Sequence, residues 1–136
     1  MKTTIDYAIK NCIKLAIEQK FRHGFTKHIH VSAIVSNQNE VIYGLNIPKS
    51  GIICSEMVAL GQALLNNNYT NLLYIVTISL DDNNQPFIAN MCGNCRQNFH
   101  YICPQIKIVL GDLDNYSMVD LVDLLPYPHI KKKENK

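Results

Sequence analysis

The sequence has no uninterrupted run of about twenty apolar residues, so no segment has the length and continuity of a membrane-spanning helix. Charge is scarce: 18% of residues are charged and the formal net charge is +2. The thirteen basic residues are scattered, apart from Lys131, Lys132, Lys133 and Lys136 at the end. A nucleic-acid binder concentrates Lys and Arg on one face, so this distribution argues against nucleic acid as a partner. The terminal lysines read as a solvated tail. Low charge with 47% apolar residues also excludes intrinsic disorder. The opening stretch, Met1 to Lys20, lacks the clean apolar segment of a secretion signal, because Asp6, Lys10, Lys14 and Glu18 interrupt it. The expectation is a cytoplasmic protein without membrane association. No internal repeat and no long linker divides the chain. Its 136 residues suit one domain over 1–130 with a basic tail over 131–136. A domain near this size buries roughly 70% of the surface its unfolded chain exposes, enough for a core without staples.

What is present is apolar periodicity. Ile5, Ala8, Ile9, Cys12, Ala16 and Ile17 recur at helical spacing and predict a helix over Thr4–Lys20, with Cys12 as a core thiol. His30–Ser36 and Glu40–Leu45 read as two strands joined by Asn37, Gln38 and Asn39. A helix over Cys54–Leu65 is apolar on more than one side, which hints at subunit contacts. Leu72–Leu80 is a nearly continuous apolar run of strand length, the pattern of a central strand covered on both faces. A third helix fits Cys92–Ile102, stopped by Pro104, and a strand follows over Ile106–Leu110. Met118–Leu125 reads as a short final helix. This order implies an α/β protein with helices on both faces of a mixed sheet.

The five cysteines fall at 12, 54, 92, 95 and 103. In a reducing compartment, clustered cysteines bind metal or do chemistry more often than they form disulfides. Cys92-Gly93-Asn94-Cys95 places two thiols in the first turn of a helix, within reach of one ion. Helix N-termini stabilise thiolates. Cys54 also stands where a helix should begin, with Glu56 two residues on. The expectation is that two helix N-termini converge and that Cys54, Cys92 and Cys95 hold one ion, leaving a tetrahedral corner for water. Glu56 is then the proton carrier beside that corner, and Arg96 a donor to thiolate sulfur that offsets the negative site.

Cys54-Ser55-Glu56 followed by Cys92-Gly93-Asn94-Cys95-Arg96-Gln97 resembles the small cytidine deaminases, whose pattern is C-A-E with P-C-G-x-C-R-Q. The resemblance runs from the Phe25-Thr26-Lys27 turn through Gly44-Leu45-Asn46 to Leu124-Leu125-Pro126, and is strongest toward blasticidin-S deaminase, which shares the Leu60-Gly61 pair. It implies a three-layer α/β/α domain with a mixed five-stranded sheet and one zinc ion per chain. The implied reaction is hydrolysis of the C4 amine of a free cytosine nucleoside to the uracil product and ammonia. In that scheme Glu56 shuttles the protons, the Ser55 backbone N–H binds the pyrimidine O2, Asn46 touches the sugar and His28 stacks on the base. Family members are homotetramers with sites near subunit interfaces, so Tyr127 is expected to reach a neighbour's pocket. Three positions depart from the pattern: Met91 replaces a proline, Ser55 an alanine, and Asn46-Ile47-Pro48 lacks the acidic half of the ribose clamp. The last argues for a substrate other than plain cytidine. Two rivals stand beside this reading: a deaminase fold that binds a nucleoside without turnover, and a structural zinc closed by Cys103 or His100.

Overall fold

Helical spacing of apolar residues is enough to specify the first element. In the computed structural model, which describes residues 2–24, 29–47 and 53–130, α1 spans Lys2–His23. It buries Ile5, Ala8, Ile9, Cys12 and Ala16 along one stripe. β1 (His30–Ser36) and β2 (Val41–Leu45) form an antiparallel hairpin, with Asn39 taking up the positive φ that its turn requires. α2 covers Ser55–Leu64, and β3 (Leu72–Leu80) follows a short 3-10 turn. β4 (Pro86–Ala89) folds back on β3, α3 spans Gly93–Ile102, and β5 (Lys107–Asp112) and β6 (Asn115–Asp120) close the sheet as a second hairpin.

The sheet is mixed and six-stranded, in the order β2-β1-β3-β5-β6, with β4 also on β3. β3 is the pivot. One of its edges pairs with β1 along almost its whole length. The other is shared: Tyr74 and Ile75 pair in parallel with β5, and Thr77 to Leu80 pair antiparallel with β4. Helix α3 is the crossover that a parallel β3–β5 pair needs.

Strand alternation splits the core in two. Val31, Ala33 and Val35 of β1 and Val76 and Ile78 of β3 join the stripe of α1. Ile34 and Ile75 point the opposite way, into a second cluster with Ala59, Leu60 and Ala63 of α2 and Phe99 of α3. The result is the α/β/α layering. Phe99 is fully buried, and a side chain of that size contributes roughly 1.5–3 kcal/mol by leaving water.

Two expectations need correction. The sheet has six strands, not five: β4 is short and begins with Pro86, so the sequence offers too few residues to show alternation. The final helix expected over Met118–Leu125 is instead the end of β6, which spans Asn115–Asp120, followed by a 3-10 turn over Leu121–Leu124. The hairpin register decides this, pairing Val119 with Ile108 and Met118 with Val109, so cross-strand pairing overrides a local helical reading. No helix among the described residues is long and apolar enough to cross a membrane. The turn at Phe25 to Lys27, His28, Pro48 and the basic tail over 131–136 lie outside the described residues.

Candidate metal centre

Two helix starts build the site. Cys54 is the residue before α2, with φ −75° and ψ 146°, and Cys92 stands in the same relation to α3, with φ −70° and ψ 162°. Extended backbone at such a position turns the side chain toward the open N–H groups of the first turn. The Cys92 sulfur accepts from the Cys95 N–H at 3.5 Å. The β4 hairpin brings the chain back along β3, so α3 begins beside the start of α2.

The three sulfurs of Cys54, Cys92 and Cys95 lie within 4.8 Å of one another. Cys54 Sγ and Cys92 Sγ are 3.8 Å apart. A tetrahedral zinc with Zn–S bonds of about 2.3 Å has sulfur–sulfur edges of about 3.8 Å, so this spacing fits one ion. The three residues grade from buried Cys95 through Cys54 to exposed Cys92, so the cluster opens to solvent on one side. Among the described residues, no fourth Cys, His, Asp or Glu belongs to this group. Cys103 caps the far end of α3, buried in the apolar core.

The thiols differ in acidity. Burial pushes Cys95 and Cys54 up, and the negative charge of Glu56 adds to both. For Cys92, burial also pushes upward, but hydrogen bonds from the Cys95 N–H and from the neighbouring thiols outweigh it, and the group is held below its ordinary value. Such a trio gives up protons together when a cation arrives. Cys12 and Cys103, pushed up to about 12 by burial alone, are inert core thiols.

Glu56 follows in the first turn of α2 and is 6% exposed. Its Oε1 accepts from Thr77 Oγ1 at 2.8 Å, with longer contacts from Ser32 at 3.4 Å and Ser55 at 3.5 Å. A buried carboxylate needs such partners, since desolvation without them is costly. Gly44 sets the depth of α2: a Cβ there would lie 2.3 Å from Ala59 N and 2.6 Å from Ser55 O. A bare backbone on β2 is therefore what lets the helix carrying Glu56 seat against the sheet.

The other sequence-selected residues are placed as follows. Ser55 is the first residue of α2, where a backbone N–H has no acceptor in its own helix. Its hydroxyl points into the sheet, 2.7 Å from Ser32 Oγ. Asn46 is buried just beyond β2, and its Oδ1 accepts the His30 N–H at 2.9 Å. Arg96 Nη1 donates to the Leu124 carbonyl at 3.1 Å, while its buried Nε–H has no partner among the described residues. Tyr127 is fully exposed, with φ 53°, and Met91 packs in the core. Sequence reasoning missed Ser32 and Thr77. The signal was a hydroxyl interrupting each of two apolar strands.

No protein-family model matches the chain. Its structure does match solved ones. A cytidine deaminase from Burkholderia pseudomallei superposes with a TM-score of 0.67 at 21% identity, covering 88% of this chain and 98% of that one. This chain has the cytidine deaminase fold. The enzyme of the same name from Mycobacterium tuberculosis gives a TM-score of 0.61 at 18% identity, over 88% of this chain and 92% of that one. That from Bacillus anthracis gives 0.63 at 14% identity, over 88% and 87%.

Proposed function

We propose that this chain is a zinc-dependent hydrolase that removes the C4 amine of a free cytosine nucleoside. The observation that carries the reading is the sulfur trio at tetrahedral spacing, with no fourth protein ligand among the described residues, beside a buried carboxyl group. A structural zinc uses four protein ligands, and the described residues offer three. The fold, shared with cytidine deaminases, points the same way.

Cys54, Cys92 and Cys95 would hold the ion, and the ion would acidify a water at its open corner. The chain's own residues do the rest. Glu56 accepts a proton at Oε2, delivers it to ring N3, and then helps protonate the departing amine. Overall, water adds at C4, the C4–N bond breaks, and uracil product and ammonia leave. Positioned acid–base transfer of this kind contributes roughly 100- to 10,000-fold. The Ser55 N–H donates to the pyrimidine O2. Asn46, already tied to His30, contacts the sugar, and His28 stacks on the base. Arg96, whose buried Nε–H has no partner among the described residues, would ease the net charge of the site by donating to thiolate sulfur.

The substrate is a nucleoside with a bulkier or cationic sugar, as in blasticidin S, because Ile47-Pro48 replaces the acidic half of the clamp. Assembly is a homotetramer, supported by the exposed Leu64 and Leu65 at the end of α2 and by the fully exposed Tyr127. The test is metal analysis with a substrate panel. About one zinc per chain, with ammonia released from blasticidin S faster than from cytidine or deoxycytidine, is expected. Zinc without ammonia from any of the three favours the rival reading, a deaminase fold that binds a nucleoside without turnover.

A further inference from the structure

β1 and β3 are central strands, and each carries a hydroxyl where an aliphatic side chain would pack. Ser32 is 0% exposed and Thr77 is 4% exposed. Both face the α2 side of the sheet, where Thr77 Oγ1 lies 2.6 Å from Ser32 Oγ and Ser32 Oγ lies 2.7 Å from Ser55 Oγ.

Proton counting gives this cluster a direction. Thr77 Oγ1 donates to Glu56 Oε1 at 2.8 Å, and that bond uses its one proton. Ser32 must then donate to Thr77, and Ser55 to Ser32, since each hydroxyl has a single proton. The chain Ser55, Ser32, Thr77 ends on one oxygen. The two longer contacts fall on the same oxygen. Among the described residues, no hydrogen bond reaches Oε2.

We infer that Thr77 and Ser32 are positioning residues, which with the Ser55 hydroxyl grip Glu56 by Oε1 and leave Oε2 as the oxygen that exchanges a proton with substrate. The inference rests on the deamination reading for its catalytic meaning. Its physical basis is independent of that reading. Aligned hydroxyls in a dry interior polarise one another, so the last donor holds the carboxylate harder than a lone hydroxyl would. Two of the three come from adjacent paired strands: Ser32 and Thr77 are direct partners in the β1–β3 register. The anchor is therefore as rigid as the sheet, while a free carboxyl on the first turn of a helix would sample several rotamers. Misplacing a reacting group by about 1 Å can cost ~100-fold in rate.

The test compares zinc-loaded wild type with Thr77→Val, Thr77→Ser and Ser32→Ala, each assayed for kcat and KM on the best cytosine nucleoside and each crystallised. Thr77→Val keeps the shape and loses the donor, and should lower kcat ~10- to 100-fold with KM changed less than about threefold. Thr77→Ser should return kcat to within about threefold of wild type. Ser32→Ala removes the middle link and should give a smaller drop in kcat, with no further loss when added to Thr77→Val. Wild-type kcat in Thr77→Val, or equal damage from Thr77→Ser, overturns the inference. If Thr77→Val does not fold, an unchanged kcat in Ser32→Ala overturns it. If the wild-type zinc protein releases no ammonia at all, it is the deamination reading that has failed. The crystal structures then decide the positioning: a Glu56 carboxyl turned from its wild-type place in Thr77→Val or Ser32→Ala supports it, and an unmoved one overturns it.

Discussion

The two faces of the same strands differ in what they bury. Toward α1, β1 and β3 present Val31, Ala33, Val35, Val76 and Ile78, and the thiol they meet is Cys12, inert in its apolar surroundings. Toward α2 and α3, alternate residues of those strands include Ser32 and Thr77, and Cys54, Cys92 and Cys95 form a cluster with a carboxyl beside it. The residues differ by one position in register, and that one step separates the scaffold from the site. One face is built to exclude polar groups, and the other to satisfy a few of them completely. A buried carboxyl tolerates nothing in between, because a half-paired polar group in a dry interior is worse than none.

The contrast is broken most severely on the α2 face. Cys54→Ala should drop metal content from about one per chain to near zero, measured by elemental analysis, since two thiols do not hold zinc tightly. Glu56→Ala should retain the metal and lose ammonia release by roughly 100- to 10,000-fold. Gly44→Ala comes next. The added Cβ collides with backbone that cannot yield, and stability should fall by about 3 kcal/mol or more in urea unfolding, with loss of the α2 placement.

On the α1 face, Cys12→Ala should cost about 1 kcal/mol in the same experiment and leave metal binding and turnover unchanged. It also carries a pH signature. The Cys12 thiol is raised from 9.0 to about 12 in the folded chain. Below pH 9.0 the group is protonated both folded and unfolded, and its contribution is fully present. Between 9.0 and about 12 only the unfolded chain releases the proton, so stability falls as pH rises. Cys12→Ala should flatten part of that alkaline loss, to which Cys103, shifted likewise, and Tyr116, raised from 10.0 to about 12, also contribute. The smallest effect belongs to the surface pair Lys107–Asp120, at 3.6 Å and half exposed on both sides. Lys107→Ala should change stability by less than about 1 kcal/mol, and raising salt should erase the difference.

Much of the fold was legible because its elements are long and periodic. The stripe of α1, the alternation of β1 and the apolar run of β3 each exceed the length at which a period declares itself. β4 and β6 were not, because each exists only through its partner: β4 has four residues on half an edge of β3, and β6 takes its form from β5. The cysteine trio and Glu56 were legible because their spacing is tied to helix starts. Ser32 and Thr77 were not, being separated by 45 residues and indistinguishable in sequence from any small polar residue in a strand.

The linear order of residues by itself determined the layered α/β class and marked out the three sulfurs that cluster and the carboxyl that accompanies them, since each depends on periods and offsets of a few residues. Which way Glu56 is held, how deep α2 sits on Gly44, and where the sheet ends were decided only when distant strands came together. Those properties are contacts across the sheet, and a contact between residues far apart in the chain has no local period to announce it.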